Sequence, residues 1–88
     1  MNNEIIQELK KKIAEYEGKD VYIELEDAIQ YYTTIHNAKI IVSNEKLIIS
    51  NEKEIDLIIE LHYLDDIEIN ENTVYLEMTN DIRITLDH

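Results

Sequence analysis

The chain of 88 residues contains no cysteine, no proline, no tryptophan and no phenylalanine, and Gly18 is its single glycine. Without cysteine there can be no disulfide, no thiolate zinc site and no cysteine nucleophile. One glycine cannot build a glycine-rich phosphate loop or a dinucleotide-binding fingerprint. Uninterrupted apolar runs reach only three residues, as in Ile40-Ile41-Val42, far short of a membrane-spanning helix. The opening "MNNEIIQELKKK" places an acid before its lysines and lacks a long apolar stretch, so it does not read as a secretory signal. Together with the missing cysteines this makes a cytoplasmic location the expectation.

Positive charge is also scarce. Eight Lys and Arg face twenty Asp and Glu, for a net charge of −12. Residues 1–44 carry five bases and eight acids (−3), and residues 45–88 carry three and twelve (−9). Direct nucleic-acid binding needs clustered bases that displace counterions, so that class is excluded as the main activity. The same field repels anionic membranes. With 44% hydrophobic residues the chain is nevertheless globular, one domain over 1–88, burying roughly 60–65% of its unfolded surface. The heavy use of Ile, Asn, Glu, Lys and Tyr fits an AT-rich genome, such as that of a low-GC bacterium or of a phage or plasmid within one.

Residues 3–17 read as an amphipathic helix with Ile5, Ile6, Leu9, Ile13 and Tyr16 on one face, Asn2 or Asn3 as cap and Gly18 as terminator. The period then changes to two. Val21, Ile23 and Leu25 alternate with Tyr22, Glu24 and Glu26, as in a half-buried strand. Residues 27–37 favour a strand over a short helix. Residues 38–50 read as a hairpin turning at 44–46. Residues 51–64 alternate over Ile55, Leu57, Ile59, Leu61 and Tyr63, although Asn51 and Glu54 also resemble a helical capping box. Ile67 and Ile69, Val74, Leu76 and Met78, then Ile82, Ile84 and Leu86 form an antiparallel meander punctuated by "NEN" and "TND". The expected fold is α+β: the N-terminal helix over a mostly antiparallel sheet of five to seven strands, compatible with a small partial barrel.

Chemistry-bearing constellations are sparse. Asp66, Glu68, Asn70 and Glu77 fall at oxygen positions of a calcium loop, yet its glycine position holds Glu71 and alternating isoleucines run through it. No metal or cofactor is expected. His36 sits by a turn, His62 near Glu60, and His88 at the end, where mobility is expected. They share no ligand spacing, and Ser43 and Ser50 carry no nucleophile signature, so the chain reads as non-enzymatic. Lys10-Lys11-Lys12 reads as a solvated helix face.

The acids form the informative set. Glu24, Glu26, Asp56, Glu60, Glu68, Glu77 and Asp87 fall on the polar phase of expected strands, Asp66 shares the face of Glu68, and Asp65 and Glu71 belong to the same acidic stretch. Only Arg83 is basic in the last 35 residues. Like charges opposed across strands are destabilising. Solubility alone would allow interspersed lysines, so the pattern implies charge presented to a basic partner, with Tyr22 and Tyr75 as aromatic anchors. The expected partner is a nuclease or other nucleic-acid-binding protein whose groove the chain occupies as a charge mimic. Small acidic anti-CRISPR and anti-restriction inhibitors work in this way, a comparison of size and charge and not of motif. Two alternatives remain open: a self-associating accessory subunit, a homodimer for instance, joined through a sheet edge or the helix, and an immunity protein neutralising a basic toxin.

Overall fold

Ile6, Leu9 and Ile13 recur at spacings of three and four, and helix α1 (Asn3–Ile13) buries all three. The computed structural model describes residues 3–52 and 54–88, with the backbone alone for residues 54–56. The helical stretch continues as a 3-10 turn over Ala14–Tyr16 and ends at Gly18, whose φ of 78° suits a residue without Cβ. Backbone bonds from Gly18 N to Ala38 O and from Ala38 N to Lys19 O, both 2.8 Å, fasten this corner to the strand connection beyond it. Two of the three consecutive lysines are structural, against the expectation of a solvated face. Lys12 Nζ donates to the Glu71 carbonyl at 2.7 Å and Lys10 Nζ to Asn44 Oδ1 at 2.7 Å, tying α1 to two separate turns.

Among the described residues eight strands follow: β1 (Val21–Glu26), β2 (Gln30–Ile35), β3 (Lys39–Val42), β4 (Lys46–Asn51), β5 (Glu54–Glu60), β6 (Leu64–Ile69), β7 (Thr73–Met78) and β8 (Arg83–Asp87). They form two antiparallel sheets, one of five strands in the order β2-β1-β8-β7-β6 and one of three in the order β3-β4-β5. The α+β class is as expected, and 27–37 and 51–64 contain strands. The single sheet and its strand count are not, and no barrel closes. The physical reason lies at Leu61–Tyr63. Alternation in the sequence runs unbroken through them, but the chain forms a 3-10 turn there and crosses from one sheet to the other. Leu61 is buried while Tyr63 is exposed, so the two no longer share a face. The other crossing, from β2 to β3, turns at Asn37 with φ 52°. There Asp20 Oδ1 accepts from the Asn37 amide at 3.0 Å and Oδ2 lies 3.4 Å from His36 Nδ1. The amide first, and His36 second, lower the pKa of Asp20 from the ordinary aspartate value.

One core joins the layers. Ile6, Leu9, Ile13 and Tyr16 from the helix meet Val21, Ile23, Val74, Leu76 and Leu86 from the larger sheet and Leu47, Ile49 and Ile59 from the smaller. Each such side chain contributes about 1.5–3 kcal/mol on burial. Tyr16 is fully enclosed, and its hydroxyl donates to the Leu86 carbonyl at 2.8 Å, with the Asn72 carbonyl at 3.2 Å. The terminal His88, expected to be mobile, is held. Its ring meets Tyr16 edge-on at 4.4 Å and its amide donates to Asn72 O at 3.1 Å.

Candidate protein-binding face

Strand alternation sends one phase of the five-stranded sheet into the core and the other to the outside. Register then arranges the outward phase in rows across the strands. One row reads Tyr32, Glu24, Thr85, Tyr75, Glu68. The next reads Gln30, Glu26, Arg83, Glu77, Asp66, and a third reads Thr34, Tyr22, Asp87, Thr73. Glu24, Glu26, Asp66, Glu68, Glu77 and Asp87 therefore share one surface, with Arg83 as its only cation among the described residues. Six carboxylates against one guanidinium leave a local charge of −5 on these rows.

The acids are interleaved, which answers the repulsion that a plate of carboxylates would create. Threonine, tyrosine or arginine separates almost every acidic pair across the strands. Only Glu77 and Asp66 stand directly opposite. Asp66 also turns its Oδ1 to the Ile67 amide at 2.9 Å, beside a register shift between Leu64 and Asp66. Arg83 lies between Glu26 and Glu77, with Nε 3.2 Å from Glu77 Oε1 and its guanidinium carbon 4.5 Å from the Tyr75 ring centre. The Nε contact is an ion pair without hydrogen-bond geometry. Tyr22 donates to Glu24 Oε1 at 3.3 Å and lies 6.3 Å from the Tyr32 ring. Partial desolvation, then the Glu24 carboxylate, raises the Tyr22 pKa above the ordinary phenol value.

The expected site residues thus divide. Tyr22, Glu24, Glu26, Asp66, Glu68, Tyr75 and Glu77 come together on this face. Asp65 sits at the register shift and Glu71 in the turn before β7, both exposed at the margin. Glu60 belongs to the other sheet, 3.9 Å from Lys46 Nζ and 3.9 Å from His62 Nδ1. Asp56 also belongs to that sheet by its backbone, and its side chain lies outside the described residues. Asp66 and Glu68 run along a paired strand instead of wrapping a loop, and among the described residues no group of three or more His, Asp or Glu is placed to hold a metal ion. No helix among the described residues is long and apolar enough to cross a membrane.

Two features lie outside the expected site. Tyr32, more exposed than Tyr22, joins the acidic face through β2, a strand whose own alternation is blurred by neighbouring polar residues. The smaller sheet also carries a row of isoleucines on its outer surface, Ile41, Ile48 and Ile58, matched in register. The signal was present in "IIV", "LII" and a second "LII". Three consecutive apolar residues in a strand must put at least one on the outside.

These features define an α+β chain with an acidic, tyrosine-bearing sheet face. No family model matches it, and comparison with curated proteins and with solved structures likewise gave no match.

Proposed function

We propose that the outer face of the five-stranded sheet docks on a positively charged, nucleic-acid-binding surface of another protein and blocks it by competition. The observation that supports this reading is the co-facial set Glu24, Glu26, Asp66, Glu68, Glu77 and Asp87, with Tyr22, Tyr32 and Tyr75 among them. The acids accelerate encounter with a basic groove, and the tyrosines provide rigid contact area once the surfaces meet. A sheet also holds its charges at fixed spacings, about 4.8 Å between strands and about 6.7 Å along one face, so little ordering entropy is lost on binding. In its sharpest form the protein is a non-enzymatic inhibitor of the anti-restriction or anti-CRISPR kind, with a nuclease as its target.

The test is a pull-down from bacterial lysate with tagged protein, with and without excess duplex DNA, using wild type beside a Glu24→Gln, Glu26→Gln, Glu68→Gln, Glu77→Gln variant. Gln keeps size and shape while removing four charges. The reading expects a nucleic-acid-binding protein that wild type captures, DNA displaces and the variant fails to hold. Equal capture by the variant would overturn it.

A further inference from the structure

We infer a second docking surface, separate from the acidic face: the free edge of β5, which accepts an extended basic–apolar peptide as an added strand. Among the described residues β5 ends the smaller sheet and pairs on one side only, with β4. The hydrogen-bond parity of that pairing is set by the Leu61 amide, which donates to Glu45 O at 2.8 Å. In an antiparallel ladder hydrogen-bonded and non-hydrogen-bonded residues alternate. Continuing the register, Ile59 opposite Leu47 and Leu57 opposite Ile49 direct their amides and carbonyls to β4. Ile58 and Glu60 then direct theirs away from the sheet.

An apolar groove of about 420 Å³ runs beside this edge. Four consecutive residues of β5, Leu57 to Glu60, form one wall, and Leu25, Met78 and Ile84 are among those forming the other. Tyr63 stands at its end with half its surface exposed. Ile58 adds a 53% exposed side chain on the outer surface of the same strand. A strand laid along β5 would pair the outward amide and carbonyl of Ile58 and the outward amide of Glu60, whose carbonyl serves the 3-10 turn that follows. Its inward side chains would fill the groove against Leu57 and Ile59, and its outward ones would extend the Ile41-Ile48-Ile58 row.

Charge selects the occupant. A second copy would bring another −12 to the edge, and its acids would oppose these. Among the described residues Glu60 is the charged one lining the groove, and its carboxylate also lies 3.9 Å from Lys46 Nζ and from His62 Nδ1. Asp81 adjoins lining residues in the chain, while Glu26 and Arg83, register partners across β1 and β8, are both turned to the opposite face. The strand that fits carries Lys or Arg opposite Glu60, an aliphatic residue opposite Ile58 and large apolar residues on its inner phase.

The test uses wild-type protein and a blocked synthetic strand of the alternation lysine–leucine–valine–leucine–lysine, with its glutamate-for-lysine counterpart as control. Amide exchange by NMR is the first readout. The expected result is that the lysine probe slows exchange at Ile58 and Glu60 roughly tenfold or more, while the glutamate probe does not. Ile58→Pro is the second readout. That amide faces away from β4, so proline removes no internal ladder bond, in keeping with its tolerance on edge strands. Its thermal melt should stay cooperative while probe affinity falls roughly tenfold. A Glu24→Lys, Glu68→Lys variant should bind the lysine probe as wild type does, which separates this site from the acidic face. Unchanged exchange at Ile58 and Glu60, equal binding by the glutamate probe, or loss of binding in the Glu24→Lys, Glu68→Lys variant would overturn the proposal. So would a dimer in the absence of probe with those amides protected, since the occupant would then be a second copy.

Discussion

Arg83 places its guanidinium carbon 4.5 Å from the ring centre of Tyr75, on a sheet face otherwise populated by acids. The arginine also lies in register between Glu26 and Glu77. It therefore does two opposed things. It relieves repulsion inside the fold, and it subtracts from the field offered to a basic partner. Arg83→Gln should lower stability by about 0.5–1 kcal/mol through the lost cation–π contact and ion pair. The same change should tighten binding to a basic target. Urea unfolding and affinity, measured on the same preparation, check the opposite signs.

Asp66 and Glu77 form the one directly opposed acidic pair in the described rows of this face. Asp66→Lys converts repulsion into attraction across the strands and should raise stability by about 0.2–1 kcal/mol. Affinity for a basic partner should fall. Adding salt to wild type should act in the same two directions, stabilising the fold and weakening the complex, because the screening length drops below about 8 Å above physiological ionic strength. A stability unchanged in the lysine variant would mean that the pair already escapes repulsion through the Asp66 contact with the Ile67 amide.

Much of this architecture was legible from period alone. The helix face of Ile6, Leu9, Ile13 and Tyr16, the strand of Val21 and Ile23, and the meander through Val74, Leu76, Ile84 and Leu86 are all buried as their spacing implied. Tyr22, Glu24, Glu26, Glu68, Tyr75 and Glu77 converge because antiparallel pairing preserves the outward phase from strand to strand. Sheet membership was not legible. Alternation says which face a residue takes but not which sheet it joins, so Glu60 and Asp56 were grouped with acids from which the turn at Leu61–Tyr63 separates them. His88 departs from expectation for a related reason. Its fixing contacts, with Tyr16 and with Asn72, are far away in sequence and carry no local pattern.

Gly18 offers a clean measurement of backbone strain. Its φ is 78°, and a Cβ placed there would meet no atom within 4 Å. Any loss on Gly18→Ala is therefore conformational and not steric crowding from the core. The expected loss is about 1 kcal/mol, with Gly18→Asn milder because Asn tolerates the left-handed region. Thermal melts of the two variants decide it, and an alanine variant as stable as wild type would mean that the helix end can be rebuilt without the left-handed residue.

Tyr16 predicts how the fold responds to base. Burial is the main cause that pushes its phenol well above the ordinary 10.0, with the Asp87 and Glu15 carboxylates adding to it. The folded chain thus favours the protonated hydroxyl, which donates to the Leu86 carbonyl. Unfolded, the same tyrosine ionises near 10.0. Below that pH neither state ionises and the contribution is complete. Above it the unfolded state loses its proton first, so stability declines as pH rises towards the folded value. Tyr16→Phe should lose about 1 kcal/mol at neutral pH, from the missing hydrogen bond, and should decline less steeply in base. Urea midpoints on either side of pH 10.0 test this directly. A wild-type and a phenylalanine chain with equal slopes there would place the alkaline sensitivity elsewhere, Tyr22 with its raised pKa being the next candidate.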